Sequence, residues 1–175
     1  ARDLILLNLD NDPGALPTQA HVVVGEDTVL LSIGYMKVVV ERHACLVFRP
    51  NFPVVKTGAT TLASAIVSRA TSEHSSRIPF ELVCIEAVLR EVVDAYYRRV
   101  QILRPIVDSF LKSLSESSTE TIAVRQLLPL KEGLADSDDK TTQITDALIA
   151  LLNSDEDVVG LMITRRHELA MSGKA

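Results

Sequence analysis

The side chains whose number and spacing could do chemistry here are carboxylates. Eight of the chain's 23 acidic residues lie between Glu132 and Asp157, and Lys140 is the one base among them. Two clusters stand out, Asp136, Asp138 and Asp139, then Asp155, Glu156 and Asp157. Carboxylate oxygens are the ligands that hard divalent cations take, and Mg²⁺ keeps most of its waters, so one or two carboxylates can hold it. Adjacent carboxylates raise one another's cost of ionisation, which a bound cation relieves. A plainer reading stands beside this one. Both clusters resemble helix starts, where acids are favoured by the free N–H groups and the positive end of the helix dipole.

Other chemistries find little support. Neither G-x-G-x-x-G nor G-x-x-x-x-G-K-[ST] occurs, and there is no G-x-S-x-G elbow. His21, His43, His74 and His167 fall in separate segments without ligand spacing. Cys45 and Cys84 are far apart in sequence, match no zinc or redox motif, and read as buried free thiols ahead of a disulfide, the second reading. His43 and Cys45 would alternate with Ala44 near a strand start, which offers no nucleophile–base dyad. The chain reads as no enzyme. Tyr96-Tyr97-Arg98-Arg99 pairs aromatic with basic residues, as RNA- or headgroup-binding runs do. The net charge of −5 argues against nucleic acid, and for a helix face with Tyr96 in the core and the arginines solvated.

The elements that must position these acids divide near residue 56. Before it β patterns dominate. Asp3–Leu9 is strand-like and Asn11–Pro17 a loop. Ala20–Val24 and Thr28–Ser32 flank Gly25-Glu26-Asp27 as a hairpin, and Lys37–Glu41 and Ala44–Phe48 flank Arg42-His43. The run Val38-Val39-Val40 predicts a strand covered on both faces. After Pro53 the pattern is helical. A short helix is expected from Thr60 or Thr61 to Ala70, then a Ser-rich loop over Thr71–Arg77. A long helix begins at Pro79 and runs to Ser115. Its three-four stripe is Leu82, Ile85, Leu89, Val92, Tyr96, Leu103, Ile106 and Phe110, and Pro105 should kink it near Gln101.

A capping box at Ser117–Glu120 starts a helix through Leu134 with Pro129 inside it. Another is expected from Asp136–Asp139 to Asn153, and a last one, capped by Ser154–Asp157, carries Val158, Leu161 and Met162. The expected fold is α/β (α+β): a small mixed β-sheet with helices over residues 1–77, then a helical bundle with one long kinked helix over 78–175. The longest apolar run, Ala147–Leu152, is far short of the roughly 18 residues that span a bilayer. The start, Ala1-Arg2-Asp3, reads as a processed or engineered end.

The order of motifs resembles a known family. It comprises Arg2-Asp3-Leu4, then Thr28–Ile33 running into Tyr35–Val40, then Cys45–Phe48. Ile78-Pro79-Phe80-Glu81 with Ile85–Leu89 is its most specific piece. Leu127–Lys131, Asp146-Ala147-Leu148 through Leu152, and Ser154–Val158 follow. Together these resemble the amino-terminal soluble domain of CorA-type magnesium channels, of the eukaryotic branch known from the mitochondrial inner membrane. The resemblance implies a homopentamer whose soluble domains face the matrix, with plastid or other organelle membranes as alternatives. It implies Mg²⁺ both as the transported ion and as a regulatory ligand that favours the closed pore. It places two membrane helices and a Gly-Met-Asn signature beyond this chain, so that membrane contact is made only there; that no nucleic acid is a partner rests on the acidic charge and not on the resemblance. The acids that match the family's acidic segment are Asp155, Glu156 and Asp157, although Asn153 stands where an acid is common. Asp136, Asp138 and Asp139 are the further candidates. A different class remains open, in which the stripe from Leu82 to Phe110 packs helices or subunits and the acids are only caps.

Overall fold

A computed structural model describes residues 19–48, 53–70, 78–116 and 120–173. The strand expected at Asp3–Leu9, the loops at Asn11–Pro17 and Thr71–Arg77 with His74, and the cap at Ser117–Thr119 lie outside those residues.

Four strands form an antiparallel meander in chain order: β1 (His21–Val24), β2 (Thr28–Ile33), β3 (Met36–Glu41) and β4 (Cys45–Phe48). Every pairing among the described strands is antiparallel, so this part of the sheet is less varied than the mixed sheet expected. The β1–β2 connection closes with the Gly25 N–H on the Thr28 carbonyl, 2.8 Å away. Ile33 pairs with Met36, which leaves only Gly34 and Tyr35 to turn the chain. Gly34 has φ 58°, a left-handed conformation that glycine adopts without steric cost, and a Cβ there would also press on the Tyr96 ring.

Period-two alternation decides the two faces. Val29, Leu31, Ile33, Met36, Val38 and Val40 point into the main core, while Leu30 and Val39 point the other way with Val23 and Phe48 packed on them. Val38, Val39 and Val40 are all buried, as the continuous apolar run implied.

Helices α1 (Pro53–Ala70) and α2 (Phe80–Glu116) bring Leu62, Ile66, Cys84, Ile85, Ala87, Val88 and Val92 into the main core. Helix α1 is longer than expected and starts at Pro53, not at Thr60 or Thr61. Proline is well suited to a first helical position, because its φ is pre-set and its missing N–H would have had no helical partner. Thr61 instead sits inside the helix, where its carbonyl accepts the Ser64 hydroxyl at 2.8 Å. Helix α2 is the long helix expected. The Pro79 carbonyl accepts the first N–H groups, from Leu82 and Val83, and Pro105 lies inside the helix.

Helix α3 (Glu120–Leu152) corrects the expectation of two helices. It continues through Pro129 and through Asp136–Asp139. The polar residues that suggested a break are absorbed within it. The hydroxyls of Ser137, Thr141 and Thr145 donate to the carbonyls of Gly133, Ser137 and Thr141, each four residues back, at 2.8–2.9 Å. Ile144 and Leu148 of α3 pack on the core, where α3 also meets β1.

The expected last helix is two: α4 (Asp155–Gly160) and α5 (Ile163–Ser172). The break at Leu161–Met162 lets Ile163 bury at 2% exposure and gives α5 a new amino terminus against α2. Gly160 closes α4 directly on Val24, where a side chain would collide with the valine methyl. Among the described residues no helix is long and apolar enough to cross a membrane.

Candidate metal-ion site

The two acidic clusters, alike in sequence, occupy different positions. Asp136 sits in the middle of α3 on the side facing α2. Its Oδ1 lies 2.9 Å from Lys140 Nζ, one helical turn on, and its Oδ2 accepts from Arg99 Nη2 of α2 at 3.3 Å. The hydrogen bond from Lys140, and the charges of Lys140 and Arg99, hold the Asp136 carboxyl below the usual aspartate range against a smaller opposing effect of burial. This acid already has two cations. Asp138 and Asp139 are exposed on the same helix.

Asp155, Glu156 and Asp157 form the first turn of α4, as the capping reading anticipated. Ser154 is the N-cap, and its Oγ accepts the Asp157 backbone N–H at 3.2 Å. Asp155 and Glu156 are exposed, and Asp157 is partly so. Among the described residues no cation pairs with these three acids or with Asp138 and Asp139. Nor do three His, Cys, Asp or Glu side chains converge there in a way that could hold a metal ion.

Three of the four histidines are described. His43 is exposed, His21 Nδ1 meets the Gln19 carbonyl at 2.8 Å, and His167 Nδ1 meets Arg42 Nη1 at 3.1 Å. In the aromatic-basic run, Tyr96 packs on the core while Arg98 and Arg99 turn to Glu91 and Asp136. That is the helix-face reading.

Two buried carboxylates of α2 have partners that were not foreseen from sequence. Glu81, fully buried at the start of α2, accepts the Thr164 backbone N–H on Oε1 at 2.8 Å and the Thr164 hydroxyl on Oε2 at 2.9 Å. Met162, the N-cap of α5, contributes no side-chain bond, so Glu81 caps that helix from across the core. Glu91, 6% exposed, accepts from Tyr35 Oη at 3.0 Å and from Arg98 Nη2 at 3.1 Å. Burial, then the Glu91 charge, push the Tyr35 phenol well above its ordinary range.

A signal for both was present. Glu81 precedes fully buried Val88 by seven residues, and Glu91 follows fully buried Cys84 by seven, so each lies nearly in line with the core on a helix. Arg166 of α5 completes the frame. Its Nη1 donates to the carbonyls of Gly25 at 3.0 Å and Gly160 at 3.3 Å, tying α5 to the β1–β2 turn and to the end of α4.

Comparison with known proteins places this arrangement. The family model described as "Magnesium transporter MRS2-like" matches residues 1–174. A chloroplastic magnesium transporter, MRS2-A of Oryza sativa subsp. indica, is 23% identical over 146 residues, covering 83% of this chain and 30% of the relative. The mitochondrial inner membrane magnesium transporter mrs2 of Schizosaccharomyces pombe is 22% identical over 147 residues, 83% of this chain and 35% of the relative. The mitochondrial inner membrane magnesium transporter LPE10 of Yarrowia lipolytica is 21% identical over 158 residues, 89% of this chain and 34% of the relative. The chain thus spans about a third of the length of these relatives. The match bears out the resemblance carried by the ordered motifs, and with nearly every residue included the chain belongs to the MRS2-like magnesium transporter family.

Proposed function

We propose that this chain is a soluble, amino-terminal, magnesium-sensing unit of an MRS2-type magnesium transporter. Its acidic side chains take up Mg²⁺ when the ion is abundant, which favours the closed state of the pore. The observation that carries this reading is the family match over residues 1–174, joined to exposed carboxylates at Asp155 and Glu156 with no cation paired to them among the described residues. A carboxylate without a cation is free to exchange water for a metal ion, whereas Asp136 is held by Lys140 and Arg99. Asp155, Glu156 and Asp157 are therefore the first ligands to test, followed by Asp138 and Asp139.

The ion shifts a population by binding one arrangement of the assembly better than another. Acids of neighbouring chains, facing one another across a shared hydrated ion, would repel when it leaves. The assembly is a homopentamer, with the domain facing the matrix at the mitochondrial inner membrane. The rice relative makes a plastid membrane the alternative.

The test is thermal unfolding and sedimentation of the 175-residue chain with Mg²⁺ at millimolar concentration and with chelator. Mg²⁺ is expected to raise the melting temperature or change the association state. The double variant Asp155→Asn with Asp157→Asn should lose most of that response while folding normally. Identical melting and sedimentation in Mg²⁺ and chelator would overturn the reading.

One observation favours an assembly module with no ion sensing. Val100, Val107, Phe110 and Leu111 of α2, with Leu130 and Leu134 of α3, line an open, largely apolar groove of about 690 Å³. Under that reading the chain self-associates, and divalent ions leave the association unchanged.

A further inference from the structure

Cys45 and Cys84, separated by most of the sheet-to-helix connection in sequence, meet in space. Cys45 opens β4 and pairs with Val40 of β3. Cross-strand partners put their side chains on one face of the sheet, and Val40 is fully buried on the face that meets the helices. Cys84, also fully buried, belongs to the same core cluster from the α2 side, and Cys45 packs against that cluster. The two thiols face the same core and are close enough to influence each other across the sheet–helix boundary. They are the only two cysteines in the chain.

We propose that Cys45 and Cys84 are a redox-modification site, in which a peroxide converts the thiol pair to an intrachain disulfide that fastens β4 to the first turns of α2.

The two thiols are unequal in the way the step requires. Cys45 is only partly buried. The interaction with Cys84 holds its thiol below the ordinary range, despite burial. Cys84 is pushed up by that same interaction, by burial, and by the charges of Cys45 and Glu81. Cys45, the less buried of the two, is therefore the thiol that meets the oxidant, and Cys84 the one that resolves it. The Cys45 sulfur attacks one oxygen of hydrogen peroxide. The O–O bond breaks, a sulfenic acid forms, and the departing hydroxide leaves as water with the proton that Cys45 gave up. The Cys84 sulfur then attacks the Cys45 sulfur. The S–S bond forms as the S–O bond breaks, and the second hydroxide leaves as water with the Cys84 proton. Two electrons pass from the thiol pair to one peroxide.

The bond would join β4 to α2 one turn beyond Glu81, the residue that seats α5. Oxidation then stiffens the same corner that positions the acidic segment. The inference stands apart from the magnesium reading, since it needs neither Mg²⁺ nor an assembled pore.

The reduced 175-residue chain is exposed to hydrogen peroxide under native, dilute conditions. Expected are an intact mass lower by two hydrogen atoms, a Cys45–Cys84 peptide pair on digestion, reversal by dithiothreitol, and a higher melting temperature for the oxidised form. In Cys84→Ala the Cys45 sulfenic acid should persist long enough for dimedone to trap it. In Cys45→Ala the Cys84 thiol should resist peroxide until the chain is unfolded. The proposal is overturned if peroxide leaves both wild-type thiols reduced, if it drives Cys45 to the sulfinic acid while Cys84 stays alkylatable on unfolding, or if cross-links form only between chains.

Discussion

Glu81 and Glu91 lie on the core-facing side of α2, at 0% and 6% exposure, and each accepts two hydrogen bonds from defined donors. Asp138, Asp155 and Glu156 stand in solvent with no cation paired to them among the described residues. The contrast separates two uses of the same side-chain chemistry. A carboxylate out of water must be fully partnered, and once partnered it fixes which elements touch. A carboxylate in water fixes nothing and stays available to an ion. Asp136 lies between the two: it is half exposed but already neutralised by Lys140 and Arg99.

The sharpest way to break this contrast is at Glu81. Glu81→Ala should destabilise the chain by about 2–4 kcal/mol, because it strands two buried donors on Thr164 and removes the cap of α5. Glu81→Gln, which keeps an acceptor oxygen, should cost clearly less. Urea denaturation reads the total. Hydrogen exchange should show the Thr164 amide opening before the sheet does. A loss no larger than that of an exposed acid would mean that Glu81 does not set the position of α5.

Ser154 comes next. Its hydroxyl caps α4 and so holds Asp155, Glu156 and Asp157 as one helical turn. Ser154→Ala should cost about 1 kcal/mol. Ser154→Asp, a cap of equal quality, should restore the stability. If the exposed acids need their helical turn to take up Mg²⁺, the alanine variant will also weaken the Mg²⁺ response and the aspartate variant will not.

These elements also show where sequence was informative. The strands were legible because Thr28–Ser32 and Lys37–Glu41 are β-rich runs, the first set off from its partner by the turn residue Gly25, and pairing followed chain order. Ser154 was legible because a cap acts within three residues of itself. The continuity of α3 was not. Asp136, Ser137, Asp138 and Asp139 look like a start, but a helix already formed has no reason to stop there: the hydroxyls bond back to their own carbonyls, and Asp136 finds Lys140.

The function of Glu81 was hidden for a different reason. The stripe through Leu82, Ile85 and Leu89 marks an apolar face correctly, but the face is wide, and its centre runs through Cys84 and Val88. Only the arrival of Thr164, 83 residues later, decides that an acid belongs there. The meeting of Cys45 and Cys84 is likewise a product of tertiary packing and of no local rule.

The smallest effect is expected at Asp136, and it tests the intermediate case. Asp136→Asn should cost no more than about 0.5 kcal/mol, since both its partners and the carboxylate itself are close to half exposed and water screens them. The direction with pH is fixed. The folded chain lowers the Asp136 pKa, so the unfolded chain holds its proton more tightly. The contribution is therefore present above the ordinary aspartate range and fades as pH falls through the lowered value. The difference in stability between wild type and Asp136→Asn should accordingly shrink in acid and in high salt. The Mg²⁺ response should be the same in both proteins, because a carboxylate already held by Lys140 and Arg99 contributes little to an added ion. A variant that lost the Mg²⁺ response as fully as the Asp155 and Asp157 pair would place the ion on α3 and reverse the order of the two acidic clusters.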